Sequence, residues 1–380
     1  MDKITQNLEI IKENAVDLIA IEELTVKLKN SLQNHKPLKL KIGFDPTARD
    51  IHLGHTVLLR KLRKLQDLGH RVYLIIGDWT AKIGDPSQKS ATRPVLNDKE
   101  IKSNAATYTA QAFKILDKRK TKIIYNSIWY KKMSLSKFLS LLSSYTVARV
   151  LERDDFSKRI KEGKPLSLLE IVYPLIQGYD SYKMKADIEF GGTDQKFNLI
   201  VGRRLQEVFG QSQQAIVTMP ILVGLDGYNK MSKSLDNYIG ITEKPKAMFG
   251  KVMSISDQVM WEYYRLLCDY DIENAKKMHP KEAKLNLAYE LVCFYHSRKR
   301  AEKEREEFER VFSKHQIPEN IPVYKAPSAM VDLVEVLYKV KLADSKNEVR
   351  RLLSQGSISL LSPDNPRSAV IVKNQTLSIP

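Results

Sequence analysis

Cysteine is scarce in this sequence of 380 residues, which contains only Cys268 and Cys293. Both lie in apolar, helix-like surroundings, and neither has a cysteine or histidine neighbour at the spacing of metal ligands. We therefore expect neither a disulfide framework nor a metal site. Buried thiols of this kind are typical of a reducing compartment, so the sequence predicts a cytoplasmic protein.

Long apolar runs are also missing, since no uninterrupted run is longer than six residues. A helix that spans a bilayer needs about 20 such residues. The first residues, MDKITQNLEIIKENAVDL, carry charges throughout, and we predict that they are not a signal peptide. The sequence thus predicts a protein without a membrane partner.

Acidic residues are too few to balance the basic ones, 45 against 62, which gives a formal net charge of +17. The excess is uneven, because residues 36–125 contain 19 Lys and Arg against 8 Asp and Glu. A basic excess indicates a polyanionic partner such as nucleic acid. A lysine-rich surface without such a partner is the alternative, and charge alone leaves both open.

Short β-rich runs alternate with helical patterns between residues 37 and 217. The runs are 38–43, 71–77, 121–126, 186–190 and 214–218. The helical patterns are 53–68, 97–117, 167–185 and 194–209, with a capping box predicted at Asn97 and Glu100. This alternation predicts an α/β fold, a Rossmann-type doubly wound parallel sheet. Its ligand crevice is expected at the carboxyl ends of the strands.

The remaining sequence predicts further segments around this sheet. We expect an N-terminal helical segment (1–36), the α/β domain (37–244), an all-helical domain (245–325) and a small α+β module (326–380). A proline-containing linker is predicted at 315–329.

The first segment with chemistry, GFDPTARDIHLGHT (43–56), directly follows the first predicted strand. His52 and His55 are three residues apart at a predicted helix start, so both side chains can face one ligand. Gly54 between them leaves space for a flat ring. The helix N-terminus adds N–H groups that suit a polyphosphate. Histidines with a purely structural role are the alternative.

The second such segment is KMSKS (230–234), in a loop that also contains glycine and asparagine. Two lysines and two hydroxyl groups on a loop can close on a chain of phosphates, although a solvated basic loop is the alternative. Its presence together with HLGH in one α/β domain favours a site that binds ATP from two sides.

A third group is a polar stripe inside an apolar helical pattern. Tyr173, Gln177 and Asp180 lie at i, i+4 and i+7, and therefore on one face of the predicted helix. Such a stripe is unlike a plain core face and indicates a binding surface.

The pair HLGH and KMSKS resembles the two signatures of class I aminoacyl-tRNA synthetases. Closer resemblance, to the bacterial tyrosyl-tRNA synthetases, runs from about residue 37 to 245. It is carried by GFDPTARDIHLGHT, GDWTAKIGDPS, SYTVARVLERDDF, YPLIQGYDS, GGTDQKFNLIVGR and TMPILVGLDG. The resemblance implies a homodimeric enzyme that activates L-tyrosine with ATP and Mg²⁺ and transfers it to tRNA(Tyr).

On the ATP side, the resemblance implies a set of phosphate contacts and a set of adenosine contacts. The predicted phosphate contacts, which would act in catalysis, are His52, His55, Lys230, Ser232, Lys233 and Ser234. The predicted adenosine contacts are Gly54, Gly192 and Asp194. Lys89 and Arg93 match basic residues that the family holds near the pyrophosphate.

On the amino acid side, the resemblance implies a pocket for tyrosine. Its predicted residues are Asp45, Asp85, Tyr173, Gln177, Asp180 and Gln195. Asp180 would accept a hydrogen bond from the phenolic hydroxyl, and Asp85, Tyr173 and Gln177 would hold the ammonium group. Asp45 and Asp85 each precede proline, so a role in turns alone is the alternative.

One position departs from part of the family. Lys41 stands where one branch has a tyrosine that helps to read the substrate hydroxyl, so the sequence does not identify the partner of Asp180 in that task.

On the RNA side, 331–361 resembles a small RNA-binding fold first known in a ribosomal protein. Residues 326–380 hold 7 basic against 5 acidic side chains, so a structural cap is the alternative.

Three other functions compete with this interpretation. A tryptophanyl enzyme shares both signatures but lacks the Tyr173, Gln177 and Asp180 stripe. A small-molecule nucleotidyltransferase has no use for the C-terminal segments. An RNA-binding paralogue without catalysis is expected to have lost HLGH, KMSKS or the stripe, and all three are intact.

Overall fold

The computed structural model describes residues 2–47, 49–87, 97–313, 324–325, 330–343, 345–362, 365–372 and 376–378. The chain divides into two compact units, Met1–Arg298 and Lys299–Pro380. All five strands predicted for the α/β domain are present in the first unit. The predicted boundaries at 244 and 325 do not coincide with this division, and they stay predictions.

A six-stranded sheet forms the centre of the first unit. Its strands are β1 (Asp17–Ile19), β2 (Lys39–Phe44), β3 (Arg71–Ile76), β4 (Thr121–Tyr125), β5 (Ile188–Gly192) and β6 (Ala215–Met219). They lie in the order β1-β6-β5-β2-β3-β4. All neighbours are parallel except β1, which is antiparallel to β6. The α/β prediction is confirmed.

Helices connect and cover these strands. They are α1 (Lys3–Lys12), α2 (Ile21–Gln33), α3 (Leu53–Asp67), α4 (Asp98–Ala112), α5 (Ser127–Tyr130), α6 (Leu135–Leu142), α7 (Val147–Leu151), α8 (Asp154–Lys161), α9 (Leu168–Met184) and α10 (Lys196–Val208). The predicted capping box is present at the start of α4, where Asn97 and Glu100 bond each other's main-chain N–H.

The strand order reverses between β2 and β5. From β2 the chain proceeds through β3 to β4 on one side, whereas β5 and β6 lie on the other. Because parallel crossovers are right-handed, the two directions place their helices on opposite faces of the sheet. A ligand crevice is expected where the order reverses, outside the carboxyl ends of β2 and β5.

The N-terminal segment contains the helices α1 and α2, and between them lies the short strand β1, which the sequence did not predict. Its three residues pair with Thr218, Val217 and Ile216 of β6. The main-chain N–H of Asp17 donates to the Thr218 hydroxyl at 3.0 Å, and that hydroxyl donates to the Asp17 carboxylate at 2.6 Å. A three-residue edge strand is too short to produce a periodic pattern in the sequence.

Helices α9 and α10 approach each other through glycine. A Cβ atom on Gly178 would lie 2.9 Å from the main-chain nitrogen of Gly202, and one on Gly202 would lie 2.8 Å from Oγ of Ser181. Both distances are too short for any side chain. The close contact fixes α9, which carries the polar stripe, against α10.

From residue 245 onward the first unit is helical, as predicted, with α11 (Pro245–Ser254), α12 (Asp257–Leu267), α13 (Ile272–Lys276) and α14 (Pro280–Tyr295). Helix α15 (Arg298–Phe308) follows and leads into a π-helical turn, Glu309–Ser313. The predicted linker at 315–329 falls mostly outside the described residues.

The second unit contains a small α+β module of its own. It consists of β7 (Met330–Asp332), α16 (Leu333–Lys339), α17 (Lys346–Ser354), β8 (Ser359–Ser362), β9 (Asn365–Ile371) and β10 (Thr376–Ser378). β7 pairs with β10 and β8 with β9, all antiparallel. Leu333, Val334, Val349 and Leu353 form a core between the two helices.

Candidate active site

A cavity of about 1060 Å³ opens at the carboxyl ends of β2 and β5, where the strand order reverses. All of the described residues that the sequence predicted for the two substrates line it. They are Asp45, His52, Gly54, His55, Asp85, Tyr173, Gln177, Asp180, Gly192, Asp194, Gln195, Lys230, Ser232, Lys233 and Ser234. Lys89 and Arg93 lie outside the described residues.

Asp180 lies at one end of this cavity and is 3% exposed. Its Oδ1 accepts hydrogen bonds from Nε1 of Trp129 at 2.9 Å and from the hydroxyl of Tyr130 at 2.8 Å. Nδ2 of Asn126 donates to Oδ2 at 3.2 Å. Burial raises the pKa of Asp180 to about 6, while these donors and the charge of Lys41 oppose that shift. The group is an ionised acceptor at neutral pH.

Asp45 and Asp85 give the middle of the cavity its acidic character. Thr80 donates to Oδ1 of Asp45 at 2.7 Å, and the hydroxyl of Tyr173 donates to Oδ2 at 3.0 Å. Burial raises the pKa of Asp45 to about 7, and the neighbouring charge of Asp85 adds to the shift. Nε2 of Gln195 donates to Asp85 at 2.8 Å. Carboxylates grouped in this way suit a ligand ammonium group.

The floor beneath Gln177 contains an ion pair that the sequence analysis did not predict. Lys41 and Glu189 are buried, and their charged atoms lie 2.7 Å apart. Nε2 of Gln177 donates to Oε1 of Glu189 at 3.0 Å. The available signal was a charged residue at an interior position of each of two parallel strands, Lys41 in β2 and Glu189 in β5.

The two histidines lie side by side where α3 begins. Their ring centroids are 3.8 Å apart, and the main-chain N–H of His52 donates to Nδ1 of His55 at 3.3 Å. Burial lowers the pKa of both, that of His55 to about 3, so both rings are neutral. Nδ1 of His52 is buried, and no described residue bonds it. A neutral imidazole with an open nitrogen can bond a ligand oxygen.

Gly54 lies between these rings, where a Cβ atom would be 3.1 Å from the ring of His52 and 3.7 Å from Met231. The absence of a side chain there keeps the cavity open.

The KMSKS loop forms the opposite wall of the cavity. Lys230 lies 3.3 Å from the carboxylate of Asp194, and the ammonium group of Lys233 bonds the main-chain oxygen of Asp50. Burial lowers the pKa of Lys233 to about 8. The hydroxyls of Ser232 and Ser234 are 2.7 Å apart. The wall therefore presents two ammonium groups and two hydroxyl groups.

A side chain behind the loop fixes its path. Asn237 accepts from the main-chain N–H of Ser232 at 2.8 Å and donates to the main-chain oxygen of Lys230 at 3.0 Å. A Cβ atom on Gly224 would lie 2.3 Å from Nδ2 of Asn237, so glycine is required there.

Neither a metal cluster nor a membrane span is found in the part of the chain that the structure describes. No group of three or more His, Cys, Asp or Glu side chains there is arranged to hold a metal ion. None of the described helices is long and apolar enough to cross a membrane.

Comparison with known proteins agrees with this geometry. A family model described as "tRNA synthetases class I (W and Y)" matches residues 33–313. The tyrosine–tRNA ligase of Carboxydothermus hydrogenoformans is 50% identical over 372 residues, which cover 94% of this chain and 90% of that protein. The tyrosine–tRNA ligase of Francisella tularensis is 51% identical over 368 residues, which cover 95% and 92%.

Solved structures show the same fold. A tyrosyl-tRNA synthetase from Archaeoglobus fulgidus, crystallised with L-tyrosine, superposes with a TM-score of 0.63 at 23% identity, over 80% of this chain and 99% of that one. The family model, the relatives and the fold agree. This chain belongs to the class I tRNA synthetases of the tryptophan and tyrosine family, and within it to the tyrosine–tRNA ligases.

Proposed function

We propose that this chain activates L-tyrosine with ATP in the cavity at β2 and β5 and transfers the tyrosyl group to the 3′ end of tRNA(Tyr). The relatives named above, about half identical over more than nine-tenths of the chain, are tyrosine–tRNA ligases. The observation that carries the assignment of the site is the polarity of one cavity. Its lining combines the buried carboxylate of Asp180, the carboxylates of Asp45 and Asp85, and the two lysines of the KMSKS loop, Lys230 and Lys233.

The chemistry requires no nucleophile from the protein. A carboxylate oxygen of tyrosine attacks the α-phosphorus of ATP, and the bond from that phosphorus to the pyrophosphate oxygen breaks. A ribose hydroxyl at the 3′ end of the transfer RNA then attacks the carbonyl carbon of the adenylate and releases AMP. The protein contributes by positioning the reactants and stabilising charge.

The amino acid end holds tyrosine by its two polar groups. Asp180 accepts a hydrogen bond from the phenolic hydroxyl. Among the described residues only Asn126 donates to its Oδ2, so this oxygen keeps a lone pair for the substrate. Asp45, Asp85 and Gln177 surround the ammonium group. Phenylalanine has no hydroxyl, so it would leave the buried carboxylate of Asp180 without this hydrogen-bond donor. Tyrosine-specific enzymes are themselves the standard example of this effect and reject phenylalanine by about 10⁵-fold.

The ATP end holds the phosphates between HLGH and KMSKS. His52 offers a buried nitrogen that has no partner among the described residues, and the Lys233 ammonium group stabilises the departing pyrophosphate. Asp194, now paired with Lys230, binds the ribose. Mg²⁺ enters as part of the substrate and neutralises the charge of the phosphates.

The transfer RNA would be held by the C-terminal parts of the chain, in the cytoplasm where translation takes place. Helix α17 begins at Ser345, whose hydroxyl accepts from the main-chain N–H of Glu348 at 3.2 Å. It carries Lys346, Arg350 and Arg351, and the last two are exposed. These cations are available to RNA phosphates.

We further propose that the protein is a homodimer, held through the segment between β4 and the first turn of α9. Large apolar side chains are exposed there, and they are Ile128, Leu135, Leu139, Val147, Leu168 and Leu169. An apolar patch of this kind is typical of a protein–protein interface. Leu135→Glu with Leu168→Glu should yield monomers in light scattering, whereas Val26→Glu, at an exposed site on α2, should not. Dimers in the double variant would contradict this interface.

The test of the function is pyrophosphate exchange into ATP with each of the twenty amino acids. Exchange with tyrosine alone supports the proposal. Exchange with tryptophan would retain the family and overturn the assignment of the pocket. No exchange from folded protein would favour the RNA-binding paralogue.

A further inference from the structure

An ion pair lies at the floor of the amino acid end of the cavity. Lys41 and Glu189 are register partners on the adjacent strands β2 and β5, and both side chains are 1% exposed. Both line the cavity. Burying two charges carries a desolvation cost that their attraction often does not offset. The position of the pair therefore calls for a functional explanation.

All three N–H groups of Lys41 are already used. They point to Oε1 of Glu189 at 2.7 Å, to Oγ of Ser181 at 2.7 Å and to the main-chain oxygen of Gln177 at 3.3 Å. An ammonium group has no further donor. Lys41 therefore cannot donate to a substrate hydroxyl without losing a partner, and it acts on the cavity through its charge.

Lys41 lies close to Asp180, because its ammonium group bonds the main-chain oxygen of Gln177 and Oγ of Ser181, which lie three residues before and one residue after Asp180 on α9. Its charge acts on that carboxylate. The titratable groups that act on Asp180 include Lys41 from β2 and Tyr130 from α5. Asp45 after β2 and Tyr173 on α9 interact with it as well. Within this set Lys41 supplies the positive charge, which opposes the effect of burial on the pKa of Asp180. The donors on α5 and Asn126 act in the same direction, because hydrogen bonds to a carboxyl group favour its ionised form.

Glu189 acts on Gln177. Because Nε2 of Gln177 donates to Oε1 of Glu189 at 3.0 Å, the orientation of the amide is fixed. Its Oε1 is buried, and none of the described residues bonds it. The other oxygen of Glu189 is held by Ser181 at 2.8 Å and by Gln214. Glu189 thus presents the carbonyl of Gln177 as an acceptor for a ligand donor.

We propose, on the basis of the function given above, that Lys41 and Glu189 are a positioning pair for tyrosine recognition. Lys41 keeps Asp180 in the carboxylate form that reads the phenolic hydroxyl, and Glu189 turns the carbonyl of Gln177 toward the ammonium group. A fixed charge here replaces the hydrogen bond that a tyrosine at position 41 would supply.

The experiment measures kcat/KM for tyrosine and for phenylalanine in pyrophosphate exchange, from acidic to weakly alkaline pH. Both amino acids share the ammonium and ATP contacts, so the ratio of the two values isolates the hydroxyl end. In the unaltered chain the ratio falls as the pH drops through about 6, the pKa of Asp180. In Lys41→Met that midpoint should move upward by roughly 1 to 3 pH units. Asp180→Asn should give a low ratio at every pH.

Further variants separate the charge effect from a loss of folding. Arg159 belongs to another buried ion pair, 2.7 Å from Glu170, and does not line the cavity. Arg159→Met should therefore lower stability without moving the midpoint. Lys41→Met combined with Glu189→Gln removes both charges and leaves neither unpaired. It should show a smaller upward shift, because the nearby negative charge of Glu189 is removed as well.

Glu189→Gln alone keeps the charge of Lys41. It should raise KM for both amino acids several-fold without an upward shift of the midpoint, and an unchanged KM would overturn the part assigned to Glu189.

One contrary result is a midpoint that stays unchanged in folded Lys41→Met and in the double variant while the unaltered chain exchanges with tyrosine. That result would overturn the role assigned to Lys41 and leave the proposed function intact. Absence of exchange in the unaltered chain would overturn both this inference and the proposed function.

Discussion

The hydroxyl of Tyr173 donates to the carboxyl group of Asp45 over 3.0 Å, which joins α9 to the segment that follows β2. Thr80 bonds the other oxygen of Asp45. Both oxygens are therefore occupied, yet burial raises the pKa of this group to about 7. Its protonation state is thus sensitive to any charged ligand that arrives near neutral pH.

We expect tyrosine binding to weaken as the pH falls below about 7, because the substrate ammonium group favours ionised Asp45. The Kd should rise about tenfold per pH unit in that range. Asp45→Asn should bind tyrosine roughly 10- to 100-fold more weakly at neutral pH and lose this dependence. Calorimetric titration in buffers of different ionisation enthalpy measures both the affinity and the released proton. A Kd that is flat across this range in the unaltered chain would contradict the assignment.

The same group affects the stability of the free protein. The folded-state pKa of Asp45 lies above its usual value of 3.8, so the stabilisation present at low pH is lost as the pH rises toward about 7. Asp45→Asn should therefore flatten the dependence of the free energy of unfolding on pH over this interval, as measured by denaturant titration.

Replacing Lys233 should abolish adenylate formation and spare tyrosine binding. Lys233→Ala should lower the exchange rate on the order of 10²- to 10³-fold, as for loss of one preorganised charge. The pKa of Lys233 is lowered to about 8, so kcat/KM for ATP should fall above that pH in the unaltered chain. Lys233→Arg, which cannot lose its proton, is the matched control and should remove that decline. Equal loss of exchange and tyrosine affinity in Lys233→Ala would indicate misfolding.

Gly77 is required by its closeness to the pocket. A Cβ atom there would lie 2.0 Å from Oδ1 of Asp45 and 2.2 Å from Oγ1 of Thr80. Gly77→Ala should therefore lower the free energy of unfolding by about 1–3 kcal/mol and weaken tyrosine binding. Gly250→Ala, in α11 with nothing within 4 Å, should stabilise by roughly 0.5–1 kcal/mol. Thermal unfolding and tyrosine titration of both variants test these expectations. A Gly77→Ala variant with unchanged stability and unchanged affinity for tyrosine would refute the steric argument.

Deleting residues 326–380 separates the two half-reactions. We expect aminoacylation of tRNA to fall at least tenfold while pyrophosphate exchange stays within about twofold, because the tyrosine and ATP residues all lie in the first unit. Arg350→Ala with Arg351→Ala in the full chain should weaken tRNA binding and make it less dependent on salt. Parallel losses of both activities would favour a structural cap.

Part of the cavity could be located from the sequence by local rules, whereas other residues, among them Asp85 and Gln195, were predicted only from the family resemblance. Residues after buried parallel strands meet at one edge of a sheet, and this brings Asp45 and Asp194 together. A spacing of i, i+4 and i+7 is sufficient to place Tyr173, Gln177 and Asp180 on one helix face. Such rules need only short windows of sequence.

The partners of these residues could not be located in the same way. Trp129 and Tyr130 lie on α5, which has four residues and no periodicity to detect. Lys41 and Glu189 meet only because β5 lies beside β2, an adjacency between strands that are far apart in sequence. The sequence therefore identified Asp180 as an acceptor and left open what keeps it in position.

The glycine contact between α9 and α10 separates the scaffold of the pocket from its lining. Because Gly178 touches the main chain of Gly202, the distance between the two helices is set by backbone alone. The side chains at 173, 177 and 180 project from the other side of that fixed wall into the cavity. New amino acid preferences can thus be sought by changing the lining one side chain at a time. A single methyl group at either glycine would instead displace the whole recognition face together.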